Sequence, residues 1–250
     1  MLEYYQGIKT AIDAIGDLKS RYTISVYDSK NDSLVLKRIL RRAALKDMDL
    51  IIGPTEQAQV RIAAAFAKKH EIFLWSPVTV INSSSSNPYL FNMNPSAHMQ
   101  AKEFIRFFKQ HQKNKKLVIV RTNSRFDRSF GKALIQELKV DGTIAYQVIN
   151  SDRGWQWATY LTAQENVVLH TAEDTQTVNT AVTALMAHKD KVQLVGNAKW
   201  LEFNSVDYSF WTQLGVHIIS SDQAELDNAQ SLSVRKAYRS QFNGDPSSFA

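Results

Sequence analysis

The chain has 250 residues, 44% of them hydrophobic and 22% charged, with no cysteine and a formal net charge of +6. That composition belongs to a folded globular protein, with apolar surface enough for one large domain or two small ones, and excludes a disordered or collagenous chain. The missing cysteines exclude disulfides, thiolate metal sites and cysteine nucleophiles. No apolar run approaches the ~20 residues of a membrane helix. Met1-Leu2-Glu3-Tyr4-Tyr5 lacks the basic and apolar stretches of a signal peptide, so the chain is expected to be cytosolic or to follow an export signal placed upstream. Lys37, Arg38, Arg41 and Arg42 cluster in one segment and Lys113, Lys115 and Lys116 in another. They read as a solvated helix face and a solvated turn. No aromatic residues interleave with them as a nucleic-acid groove requires, so no nucleic-acid partner is expected.

Tyr5, Ile8, Ile12 and Ile15 recur at helical spacing, which predicts an amphipathic helix over residues 2–19. Thr23-Ile24-Ser25-Val26-Tyr27 has strand composition. Asp32 or Ser33 then caps a helix through Leu36, Ile39, Leu40 and Ala43. Leu50-Ile51-Ile52 reads as a short buried strand ended by Gly53-Pro54. Thr55 is placed to cap a helix carrying Val60, Ala63, Ala64 and Ala67. Ile72-Phe73-Leu74-Trp75 is a further strand. Residues 76–98, rich in Ser, Asn and Pro, form a loop with one short strand at Tyr89-Leu90-Phe91-Asn92. A helix through Ala101, Phe104, Ile105 and Phe108 precedes a second series. In it, strands are predicted at 117–120, 143–149, 167–170, 192–195 and 216–219. Helices run through Phe126–Leu134 and Val178–Leu185, and a last one covers 231–243.

Strand–helix alternation implies parallel sheets covered by helices. The two series predict two lobes, residues 1–114 plus 222–250 and residues 115–221, with the last helix returning to the first lobe. Clefts between such lobes, at the carboxyl ends of strands, are where ligands bind. The nine glycines are too scattered to build a dinucleotide fingerprint or a phosphate loop. The six histidines form no His-x-x-x-His pair, and no Gly-x-Ser-x-Gly elbow is present. His170, beside Thr171, Glu173 and Asp174, reads as a structural or solvated residue, with an acid–base role as the alternative. No cofactor, metal or catalytic residue is implied, and the chain is not expected to be an enzyme.

Five segments then carry a resemblance. They are Tyr5-Gln6-Gly7-Ile8-x-x-Ala11-Ile12-Asp13, Tyr27-Asp28-Ser29-Lys30-Asn31-Asp32, Asp49-Leu50-Ile51-Ile52-Gly53-Pro54, Ser76-Pro77 and Asn87-Pro88-Tyr89-Leu90-Phe91-Asn92-Met93-Asn94-Pro95-Ser96. In that order and spacing the chain resembles the type I periplasmic binding proteins, in particular the branched-chain amino-acid receptors. The match is strong over residues 2–110 and looser beyond. The resemblance implies a two-lobed α/β fold, each lobe a mostly parallel sheet flanked by helices. It also implies that the chain is a fragment lacking a first strand and a C-terminal part, which would leave sheet edges exposed and favour self-association.

Site residues follow from the same resemblance. The turn after Gly53-Pro54 presents Thr55, with Glu56 beside it, and helix-start amides to an anionic ligand group; capping of its own helix is the other reading of Thr55. Ser76, Val78 and Thr79 match the segment that grips an amino group. Asn123, Arg125, Phe126 and Asp127 follow the first strand of the second lobe, where an aromatic residue and an acid are usual. Phe126 reads equally as a core residue. Asn197 stands where amino-acid receptors often carry an acid that pairs with an ammonium, and its neutrality is the main departure. Trp155, Trp157 and Trp200 read as core or rim aromatics, with ring stacking as the alternative.

The expected function is binding of a small polar, amino-acid-like solute by an extracytoplasmic receptor in the periplasm or cell envelope, with delivery to an ABC transporter. The alternatives are an interaction module with a degenerate cleft, partnered by an envelope component, and an α/β enzyme.

Overall fold

A computed structural model describes residues 2–14, 22–80, 86–151, 156–163, 165–221 and 228–246. The chain divides into two compact units, residues 1–94 with 222–250 and residues 95–221.

In the first unit, helix α1 (Leu2–Ala14) pairs with α9 (Ala229–Phe242). Tyr238 Oη donates to Gln6 Oε1 at 2.8 Å, and the Lys9 ammonium lies 5.9 Å from the Phe242 ring centroid. Asp32 caps α2 (Ser33–Leu40) by accepting from the Leu34 amide at 2.6 Å. Helix α2 buries Leu36, Ile39 and Leu40 and packs on α3 (Gln57–His70). Strands β1 (Leu50–Ile52), β2 (Phe73–Ser76) and β3 (Leu90–Asn92) form a parallel sheet in the order β1-β2-β3. One face, with Leu74 and Leu90, packs on Val60, Ala63, Ala64 and Ala67 of α3. The other face carries Leu50, Ile52, Phe73, Trp75 and Phe91, all exposed.

The predicted strand at Thr23–Tyr27 is a correction. These residues join no ladder, and Tyr22, Ile24 and Val26 are exposed. β-branched composition favours a pleated, half-buried surface but supplies no hydrogen-bonding neighbour.

The second unit is a five-stranded parallel sheet in the order β5-β4-β6-β7-β8. Its strands are β4 (Lys116–Arg121), β5 (Tyr146–Asn150), β6 (Asn166–His170), β7 (Val192–Asn197) and β8 (His217–Ile219). Alternate residues of the central strands bury themselves in opposite faces. Leu117, Ile119, Val167 and Leu169 pack against α4 (Ala97–His111) and α5 (Lys132–Asp141) through Phe104, Ile105, Phe108, Leu134 and Leu138. Val118, Val120, Val168 and Leu194 pack on α7 (Thr175–Leu185) and α8 (Tyr208–Gln213), with Trp157 of α6 (Trp157–Tyr160), Trp200 and Trp211 in the same core. Each such fully buried aliphatic or aromatic side chain stabilises by roughly 1.5–3 kcal/mol.

The division falls after residue 94 rather than after residue 114 as expected. Helix α4 lies between the loop and the second series, and its period alone does not say which sheet its apolar stripe faces. That stripe is buried in the second unit.

Candidate functional site

In the second unit the strand order reverses at β4, which has β5 on one side and β6 on the other. The connections after β4 and β6 therefore leave the sheet on opposite sides. The carboxyl ends of these strands form the switch point at which open parallel sheets bind ligands.

The side chains at this point are tied closely. Thr171 Oγ1 donates to Val120 O at 2.7 Å, Ser124 Oγ to Thr171 O at 2.6 Å, and the Asp127 amide to Ser124 Oγ at 2.9 Å. Asp127 is buried, forms an ion pair with Arg121, and accepts from the Asn123 amide at 3.2 Å. It opens a π-helical turn, Asp127–Gly131, a feature frequent at functional sites. Gly131 leaves the room the carboxylate occupies: a Cβ there would lie 2.7 Å from Asp127 Oδ1.

Asn123 is exposed in the left-handed region at φ 60°, which asparagine tolerates better than most residues. Its carbonyl accepts from Arg128. The half-buried Phe126 stacks on Phe130 with ring centroids 4.8 Å apart and packs on the α4–α5 core. Its core reading is thereby satisfied, while its amide donates to Glu173 Oε2 at 3.0 Å. Asn197 is 2% exposed. Its Nδ2 donates to Ala172 O at 2.8 Å, and its Oδ1 accepts from the Lys199 amide at 3.1 Å. The side chain is thus committed to holding the loop after β6 and starting the turn after β7.

Trp200 donates to the same Ala172 carbonyl at 2.8 Å and, like Trp157, is buried, so neither presents a stacking surface. Trp155 lies outside the described residues. His170 is fully buried, and burial pushes its pKa down to about 4, against a weaker opposing pull from Asp174. Its Nδ1 accepts from the Ala172 amide at 3.3 Å. A neutral, sealed imidazole of this kind is placed for packing, not for proton exchange with solvent. On the β5 side of β4, Val120, Ile149, Asn150, Gln156 and Tyr160 line a cavity of ≈ 10 Å³, about the size of one water.

In the first unit the expected residues gather at the carboxyl ends of β1 and β2. Ser76 Oγ donates to Thr79 O at 2.6 Å, Thr79 Oγ1 donates to Thr55 O, and Val78 O accepts from Asn94 Nδ2 at 3.2 Å. Ser76 is buried, while Thr55, Val78 and Thr79 are half-buried. The expectation that Thr55 caps α3 is corrected. Glu56 is the N-cap residue and makes no side-chain cap bond, because the helix begins only at Gln57. Glu56 itself is exposed.

Reading the sequence named Thr171 and Glu173 only as neighbours of His170 and did not single out Arg121. The signal for Glu173 was its place three residues past the end of β6. Among the described residues no group of His, Asp and Glu is arranged to hold a metal ion, and no helix is long and apolar enough to cross a membrane.

A family model described as periplasmic binding protein matches residues 3–250. The chain belongs to the periplasmic binding protein family. Among solved structures it is similar to a protein of Rhodospirillum rubrum assigned to branched-chain amino acid ABC transport, at 13% identity and a TM-score of 0.72 over 99% of this chain and 74% of the other. It is also similar to an ABC transporter substrate-binding protein from Desulfitobacterium hafniense, at 13% identity and a TM-score of 0.64 over 98% and 74%. A third is the branched-chain amino acid transporter substrate-binding protein of Streptococcus pneumoniae in complex with isoleucine, at 17% identity and a TM-score of 0.53 over 99% and 74%. Likeness at such identity establishes the fold, which is the α/β periplasmic-binding-protein fold expected from the sequence. No curated protein matches the chain.

Proposed function

We propose that this chain is an extracytoplasmic receptor for a small polar, amino-acid-like solute, and not an enzyme. The observation that carries the reading is the knotted polar rim at the β4–β6 switch point, where Asn123, Arg121, Asp127 and Glu173 meet around the amides of residues 123 and 126. On the first unit, taken by itself, Thr55, Glu56, Ser76, Val78 and Thr79 are the proposed ligand groups. Glu173, and not Asn197, is the group suited to an ammonium here, since the Asn197 amide is consumed internally. The solved relatives whose descriptions name branched-chain amino acid transport or bound isoleucine support the solute class and delivery to an ABC transporter.

A thermal-shift screen of the full chain against amino acids, small peptides, sugars and nucleosides tests this. A solute at about 100 times its Kd stabilises by ~2.7 kcal/mol. Glu173→Gln is expected to weaken an ammonium-bearing solute at least tenfold. No shift across the panel would overturn the receptor reading. It would favour a second one, an envelope interaction module with a degenerate site, which self-associates or meets its partner through the exposed edge and face of β1. The internal commitment of Asn197 and the open sheet face of the first unit favour that reading.

A further inference from the structure

The residues from Ser33 to Lys46 hold Lys37, Arg38, Arg41, Arg42 and Lys46 and no acid, in a chain whose formal net charge is +6. All five are exposed, on α2 and the 3₁₀ turn Ala43–Asp47 that follows it. None forms an ion pair among the described residues. Asp32, the nearest acid before them, accepts from the Leu34 amide as the helix cap. Asp47, exposed, is the last residue of the turn, and Asp49 follows it. Arg61, Lys68 and Lys69, exposed on the helix against which α2 packs, add to the positive field, with Glu56 and Glu71 at the two ends of that helix.

This arrangement opposes folding locally. Lys37 and Arg41, on the last turn of α2 and its cap, are like charges four residues apart, a pairing that destabilises by roughly 0.2–0.5 kcal/mol. The Arg42 guanidinium is 5.3 Å from the Tyr27 ring centroid, which orients it without neutralising it. Leu34, 64% exposed, lies one turn before Lys37 and Arg38 and two before Arg41, on the same outward stripe. Opposite it, Leu36, Ile39 and Leu40 are buried, so the cationic stripe is held outward by a fixed core contact.

We propose that α2 and its following turn form a docking face for an anionic phospholipid bilayer. Five exposed cations within ten residues, three of them guanidinium groups suited to phosphate oxygens, match the charge of a headgroup layer. Leu34 supplies an apolar side chain at the same level, as interfacial helices do. A nucleic-acid duplex offers the same phosphate oxygens but no apolar layer for the exposed Leu34 side chain to enter, which makes it the less suited partner. Docking here is independent of whether the polar rim binds a solute.

The test is co-sedimentation of the full chain with vesicles of phosphatidylcholine containing about 40% phosphatidylglycerol, at ~0.05 M and ~0.3 M salt. Binding is expected at low salt, to weaken at high salt and to be absent with phosphatidylcholine alone. Neutralising Lys37, Arg38, Arg41 and Arg42 to Gln together is expected to reduce the partition coefficient about fivefold per cation removed. Neutralising Lys102, Lys113, Lys132 and Lys139, the same number of exposed cations on the second unit, is expected to leave it within about twofold. Circular dichroism of both variants confirms that the fold persists. The proposal is overturned if the unmodified chain ignores anionic vesicles at low salt, if both variants lose binding equally, or if a duplex DNA is bound more tightly than the vesicles.

Discussion

Gly196 and Trp200 are set against each other at the end of β7: a Cβ on Gly196 would meet carbons of the Trp200 ring at 2.4 Å. The indole is fully buried and bonds Ala172 O, so it has nowhere to retreat. Gly196→Ala is therefore expected to destabilise the chain by about 2–3 kcal/mol through overpacking. Urea unfolding with an unchanged m-value checks this; a loss under 0.5 kcal/mol would show that the ring shifts freely.

Asp127 is buried beside a partly exposed Arg121. Asp127→Ala removes the ion pair and the acceptor of the Asn123 amide. Because Arg121 recovers water, the loss is expected below the ~3–5 kcal/mol of a fully buried broken pair, at about 2–3 kcal/mol. It should also loosen the loop after β4, read as faster amide exchange at residues 122–126. Stability and exchange both unchanged would show the network to be ornamental.

His170 sets a pH dependence. Its pKa in the fold is about 4 against an ordinary value near 6.5, so the folded chain binds fewer protons than the unfolded chain between these values. The contribution is intact above pH 6.5 and is lost as pH falls toward 4. Between pH 7 and pH 5 the loss is about 2 kcal/mol. His170→Asn, which keeps an acceptor for the Ala172 amide, is expected to flatten that part of the stability–pH curve. An unaltered slope would assign the pH dependence to other groups.

Placing an acid at position 197 makes a sharper test of the site. In Asn197→Asp the donor to Ala172 O becomes a buried carboxylate facing a carbonyl. The change is expected to cost roughly 2–3 kcal/mol and to gain no affinity for amino acids in the thermal-shift screen. Tighter amino-acid binding by this variant would place the ammonium at residue 197 and not at Glu173.

Much of the architecture was legible because periodicity is local. Leu117–Val120 and Val167–Leu169 are continuous apolar runs because both faces of their sheet are covered, and the cap chemistry of Asp32 or Ser33 marks the start of α2. Neighbours distant in the chain were not legible. Phe126 meets Glu173 across 47 residues, and Asn197 meets Ala172 across 25. No spacing rule reports either contact.

The α/β class, the family and most of the strand–helix order could be read from the sequence, since each follows from patterns carried within a few tens of residues. Only the tertiary structure decided that α4 belongs to the second unit, that Thr23–Tyr27 stays outside the sheet, that Trp157 and Trp200 are core, and that Asn197 is already engaged. Those outcomes depend on which surfaces are opposed once the chain is packed. An amphipathic stripe, a strand-forming run or a polar side chain specifies that it needs a partner, and packing selects which one.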